Sequence, residues 1–275
     1  MQKTEAVEHQ SEKTLRPKGI AGSTLKLIAM TSMLLDHTGA VLVERVLFRR
    51  GMMEAVDPES FQAFLAANAG LYCADQMLRF VGRMAFPIFC FLLVQGFLHT
   101  HNLKKYLGRL FLFALISEVP FDFALAGKPC DWSLQNVYFT LFLGVFTLAG
   151  IRMAEEKAQW HVAWRVALGL LCTVLGAGAA ALLDTDYGFL GVLAIVTLYL
   201  LRDRKTLSAG ASCTVLCCVA VIEVFSFASL LPLSRYNGKK GSNQKWLFYL
   251  FYPAHLLLLY LLARALGLGA VSMGS

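Results

Sequence analysis

The sequence predicts an all-α integral membrane protein, a polytopic bundle of about eight (8–10) transmembrane helices. Three observations carry that prediction. Of 275 residues, 57% are hydrophobic and only 16% are charged, against about 25% charged in soluble domains. The apolar residues fall into long blocks, many approaching the roughly 20 residues that cross the hydrocarbon layer. No block alternates as a barrel strand does. Backbone facing lipid must then satisfy its own hydrogen bonds, so the blocks are helices.

The elements follow in order. Residues 1–24 are polar and of mixed charge, with the apolar run starting too late for a cleavable signal. They read as a disordered cytosolic tail. The transmembrane domain is expected over 25–266, and 267–275 is a short C-terminal tail. Crossings are predicted at about 25–48, 82–98, 103–126, 134–151, 161–183, 187–201, 209–233 and 246–265. Between the first two, FQAFLAANAGLYCADQMLRF reads as an amphipathic helix on the membrane surface, because Asp75 and its length argue against a full span.

Net charge is +7, and the charges sit in short loops, so they read as topology signals. No nucleic-acid motif is present, and the lipid bilayer is the expected surrounding. Lys104, Lys105, Arg109, Arg152, Lys157, Arg165, Arg202, Arg204 and Lys205 fall on one side with the basic N-terminus, which predicts an inside N-terminus. The loop after the seventh block, with Arg235, Lys239, Lys240 and Lys245, breaks this pattern. Either one block is re-entrant or the loop folds back. Seven cysteines are scattered without zinc-site spacing, so no metal is expected.

Ionisable groups inside apolar blocks mark candidate function. Lys26 and His37 lie eleven residues apart, about three helical turns and ~16 Å, on one face. His37 suits a general base, with Asp36 beside it to hold it or raise its basicity. The bland alternative is that the two only satisfy each other. Arg83 precedes Pro87 and suits phosphate or carboxylate. Glu118 and Asp122, four apart, share a face. Asn136 and Asp186 lie at helix starts, where both can cap. His255 is deep in the last block, with Tyr252 three residues earlier.

Taken in order, LLDHTG, GRMAFPIFCFLLVQGFLHTHN, KYLGRLFLFALISEVPFDFAL, QNVYFTLFLG and YPAHLLLLY resemble the TraX family. The resemblance runs from about 25 to 265. It implies a multi-pass protein of the inner membrane that uses acetyl-CoA to acetylate pilin or another envelope acceptor. The family looks similar to acyltransferases of the acyltransferase-3 type, whose basic residue and histidine enclose ten residues, as Lys26 and His37 do. That implies His37 and Asp36 as the catalytic pair. Lys26, Arg83, Lys239 and Lys240 would hold acetyl-CoA, and Glu118, Asp122, Asn136, Tyr252 and His255 the acceptor. A proton-coupled transporter or flippase using the same groups, and a non-catalytic assembly scaffold, are the competing readings.

Overall fold

Apolar blocks this long leave the backbone no partner but itself, and the computed structural model is accordingly helical. It describes residues 19–242 and 245–268. Most of the expected tails lies outside the described residues, although helix formation begins inside the expected N-terminal one, at Gly22. Among the described residues there is no strand, only two isolated bridges, Ile20 with Tyr236 and Gln135 with Thr185.

Helix α1 runs Gly22–Arg49 and widens into one π-helical stretch, Gly39–Val43. Helix α2 is Pro58–Gly82. Asp57 caps it, accepting from the N–H of Glu59 and Ser60 at 3.0 and 2.9 Å, and Pro58 supplies a first turn that lacks only a bond it would not have made. Asn68 leaves helical geometry (φ −124°, ψ 18°) and kinks α2. Its amide oxygen accepts from Arg50 at 2.9 Å. Beyond the kink α2 packs antiparallel to α1, with Asp75 buried beside Gly39. The expected surface helix is therefore corrected for its second half: Arg79 is tolerated there because α1 supplies Asp36 and Glu44 as partners, while Asp75 accepts from the neighbouring Gln76 at 3.2 Å.

After a turn at Arg83–Met84 the chain continues as α3 (Ala85–Leu98), then α4 (Leu103–Leu125), α5 (Val137–Glu155), α6 (Val162–Leu182), α7 (Gly188–Leu200) and α8 (Lys205–Leu216). A 3-10 segment, Val221–Ser229, leads into the short helix Leu230–Ser234. The last long helix, α9, is Lys245–Ala265. Pro253 inside α9 has no N–H for the carbonyl of Tyr249, and that carbonyl accepts from the Tyr138 hydroxyl at 3.4 Å instead.

Among the described residues, five helical runs are long and apolar enough to cross a membrane: Gly22–Arg49, Pro58–Leu98, Val137–Glu155, Val162–Leu182 and Trp246–Ala265. The protein is thus an all-α membrane protein, with fewer clear crossings than eight. The expected crossing at 209–233 is a hairpin. Helix α8 has 12 residues, about 18 Å at 1.5 Å per residue, too short for a core of about 30 Å. The chain turns at 217–220 and comes back. Lys205 Nζ at the entry donates to the Tyr236 carbonyl at the exit, 2.9 Å away. Small buried side chains, Ser208, Ser212, Cys213, Ser226 and Ser229, let the two arms approach closely.

The hairpin removes the charge anomaly. Its exit loop docks on the start of α1: Gly22 N–H donates to the Lys239 carbonyl at 2.8 Å and Ser23 N–H to the Lys240 carbonyl at 2.9 Å. The ends of α3, α5 and α7 meet at the same level, where Phe97 contacts Arg152 and Tyr199. Lys104, Lys105, Arg152, Arg202, Lys205, Lys239 and Lys240 therefore share one basic face. Cys130, exposed in the loop after α4, sits at the other end. On a background otherwise free of cysteine, Lys105→Cys and Lys240→Cys are expected to react with a membrane-impermeant maleimide from one side, and Cys130 only from the other. Opposite labelling of 105 and 240 would refute the hairpin.

Glycine lets α5, α6 and α7 close up: a Cβ at Gly144 would run into Ile195, and one at Gly176 into Thr147. Much of α6, including Trp164, Leu170, Val174 and Leu182, is exposed, as a lipid-facing helix must be.

Candidate functional site

A cavity of about 220 Å³ lies beside the middle of α1. Asp36, His37 and Ala40 of α1 form one wall, Arg79, Gly82 and Arg83 a second, and Phe86, Phe121, Leu125 and Leu134 much of the rest. Asp186 and Tyr187 enter from the α6–α7 link and Tyr252 from α9.

Asp36 is clamped by two guanidiniums. One carboxylate oxygen takes Arg83 Nη2, and the other takes Arg79 Nη1 at 2.9 Å. Arg83 Nη1 reaches across to Glu223 Oε1 at 2.8 Å, and Arg79 Nε lies 3.3 Å from Glu44. Glu223 is 1% exposed and comes from the 3-10 arm of the hairpin, so the hairpin ends in an ion pair at the site. Gly82 makes the clamp possible, because a Cβ there would overlap the Asp36 side chain. Gly82→Ala is expected to destabilise by about 1–3 kcal/mol through that overlap, read as a lower melting temperature in detergent.

His37 is partly exposed in the cavity wall. The expected contact with Asp36 is not made, since both carboxylate oxygens go to arginines. His37 Nδ1 instead lies 2.6 Å from Nε2 of His255, with the rings stacked at 4.9 Å. His255 is 4% exposed and does not line the cavity. Its Nδ1 donates to the Phe251 carbonyl at 2.7 Å. Tyr252 meets His37 edge-on at 6.0 Å, and of the expected acceptor group it alone faces the cavity.

The other expected residues are placed differently. Asn136 caps α5, accepting from Tyr138 N–H at 3.0 Å and donating to the Ala114 carbonyl at 2.8 Å and to Glu118. Asp122 accepts from Asp131 N–H at 2.9 Å and lines a smaller cavity of about 70 Å³ that shares Phe121, Leu125 and Leu134 with the main one. Neither carboxylate pairs with Arg83. Lys26 lies over the Phe248 ring at 4.6 Å, and Lys239 and Lys240 are exposed on the basic face. None of these three lines the cavity, although Lys26 and His37 both face α9, as their spacing requires.

Arg79, Glu44, Glu223, Asp186 and Tyr187 were not assigned to the site from sequence. Asp75, Arg79 and Arg83 are spaced by four, so they share one helix face, a signal that could have exposed α2 as a packed helix. Asp186 is not the cap of α7. That position is Tyr187, which is left-handed at φ 63° and has no side-chain cap bond. Tyr187 stacks on Phe86 at 3.7 Å. Asp186 N–H donates to the Gln135 carbonyl at 2.8 Å, which holds its carboxylate at the cavity.

A polytopic helical membrane protein with a charged, histidine-bearing cavity at mid-helix depth is the class that fold and site define. The chain belongs to the TraX family, whose model, described as TraX protein, matches residues 21–263. It is also similar to a protein of Dichelobacter nodosus described as probable fimbrial assembly protein FimC, serogroup H1. The two are 31% identical over 268 residues, covering 86% of this chain and 92% of that protein. No solved structure matches the chain.

Proposed function

We propose that the protein is a membrane-embedded acetyltransferase that moves an acetyl group from acetyl-CoA to an amine or hydroxyl acceptor, the N-terminus of a fimbrial or pilin subunit being the favoured one. The observation that carries this reading is the His37 imidazole in the wall of a largely apolar cavity that also holds charged groups, hydrogen-bonded to a second imidazole and with no ion pair among the described residues. Family membership and the likeness to a Dichelobacter protein described as a probable fimbrial assembly protein support an acceptor from pilus assembly.

In this reading the basic face is cytosolic, in the inner membrane, as the charge rule expects. Lys26, Lys239 and Lys240 receive the phosphates of acetyl-CoA there. The acyl arm then follows the α1–α9 seam from Lys26 and Phe248 to His37, ~16 Å along α1. The acceptor occupies the main cavity between Asp186, Tyr187 and Tyr252. His37 takes a proton from the acceptor nitrogen or oxygen as that atom attacks the thioester carbonyl. The new bond to carbon forms, the carbon–sulfur bond breaks, and His37 returns the proton to the leaving thiolate. Arg83 and Asp36 keep the cavity walls in register rather than touching the nucleotide. Glu118, Asp122 and Asn136 shape the loop at the cavity's edge.

Calorimetry of acetyl-CoA binding to the detergent-purified protein tests this. Saturable binding is expected, weakened about tenfold or more when Lys26 and Lys240 are both alanine, since each charge-assisted phosphate contact is worth roughly 1.5–3 kcal/mol. A well-folded wild type that binds no acetyl-CoA would overturn the reading and turn attention to proton flux through the same charged groups.

A further inference from the structure

The two histidines can be read as one unit, starting from an atom with no choice. The Phe251 carbonyl oxygen carries no hydrogen. His255 Nδ1 lies 2.7 Å from it, so the hydrogen of that bond belongs to Nδ1. A neutral imidazole carries one ring proton, which leaves His255 Nε2 bare. His37 Nδ1 lies 2.6 Å from that bare nitrogen, so it must be the donor. The proton of His37 is thereby held on Nδ1, and its Nε2 keeps a lone pair.

We infer that His255 is a positioning residue that locks His37 in the Nδ1–H tautomer and so leaves Nε2 as the basic nitrogen for the cavity. His37 alone makes no such selection, because among the described residues its ring nitrogens have no other hydrogen bond. His255 suits the task because its own freedom is small. It is 4% exposed, stacked on Phe251 at 4.6 Å and packed edge-on against Tyr252 at 5.7 Å. The reference carbonyl lies on the same helix, four residues earlier, so the lock does not depend on a loop. The charged groups nearby, Asp36, Arg79 and Arg83, are tied to one another and to Glu44 and Glu223. They offer His37 no competing acceptor. A histidine held in the wrong tautomer is a poor base, and in the serine-protease triad that fault alone costs about 10⁴-fold in turnover.

The inference rests on the acyl-transfer reading for its consequence, not for its geometry, and the experiment separates the two. Protein labelled with ¹⁵N-histidine, in detergent, is compared by NMR with His255→Gln and His255→Leu. In wild type, His37 is expected to show a protonated Nδ1 and an unprotonated Nε2. Glutamine, whose amide oxygen can replace the accepting nitrogen, is expected to keep that pattern. Leucine, which fills the space without an acceptor, is expected to lose it. Acetyl transfer should fall on the order of 10²-fold in His255→Leu and recover most of the way in His255→Gln. An unprotonated Nδ1 on wild-type His37, or an unchanged pattern in folded His255→Leu, overturns the inference. The expected spectra with no acetyl transfer by wild type would leave the tautomer lock standing and refute the acyl-transfer reading.

Discussion

Arg83→Ala is expected to destabilise the protein by roughly 3–5 kcal/mol, the usual cost of removing one partner from a buried charge network. Arg83 touches Asp36 with one arm and Glu223 with the other. Without it Glu223 keeps no ion-pair partner among the described residues, and Asp36 keeps only Arg79. The loss should appear as a large drop in melting temperature in detergent and as poor yield. The triple variant Arg83→Leu, Asp36→Asn, Glu223→Gln removes the charges together and is expected to recover much of the stability, because replacing a whole buried ionic group is often close to neutral. If Arg83→Ala melts like wild type and only weakens acetyl-CoA binding, the arginine belongs to the donor site and not to the clamp.

His37→Asn is expected to lower acetyl transfer by about 10²–10⁴-fold, the range for loss of a general base, while changing stability by no more than about 1 kcal/mol. Asparagine is the informative replacement. Its amide N–H can still donate to His255 Nε2, so the buried imidazole keeps its partner, but the side chain has no basic nitrogen. Alanine would remove the base and orphan His255 together, mixing the two effects. A folded His37→Asn protein that transfers acetyl groups at the wild-type rate would remove His37 from the mechanism.

The long helices were legible because their signal is local. Apolar length alone marks α1, α3, α5, α6 and α9, and their observed ends fall within a few residues of those expected. Helix α2 was harder to read because Asp75 and Arg79 look like loop charges until their partners are known. The partners of Arg79, Asp36 and Glu44, are about forty residues away in sequence. The stretch 209–233 has the apolar content of a crossing, and only the turn at 217–220 and the serines of the two arms make it a hairpin. The site was legible in kind but not in pairing. His37, Asp36, Arg83, Tyr252 and His255 all stand out as groups that do not belong in lipid. That Asp36 turns to the arginines while His37 turns to His255 depends on how α9 and α2 dock against α1, which no spacing within one helix reveals. Asn136 is occupied by the Ala114 carbonyl, the Tyr138 N–H and one oxygen of Glu118 at the start of α5, which shows why a buried polar residue need not face substrate.

The pairing of Arg83 with Glu223 bears on how the chain is made. The two residues are 140 positions apart, and synthesis delivers the N-terminal part first. Helices α1 to α3 bring Arg79 and Arg83 together with Asp36 and Glu44, and one arm of Arg83 is left for a partner that emerges only after α8. Each arm of the hairpin is too short to insert as a span of its own. It docks on a part already built, where Glu223 takes the second arm of Arg83. Chains ending before residue 221 lack that carboxylate and are expected to insert α1 to α3 and yet remain open to quality-control proteolysis, read as a shorter half-life than that of the full chain.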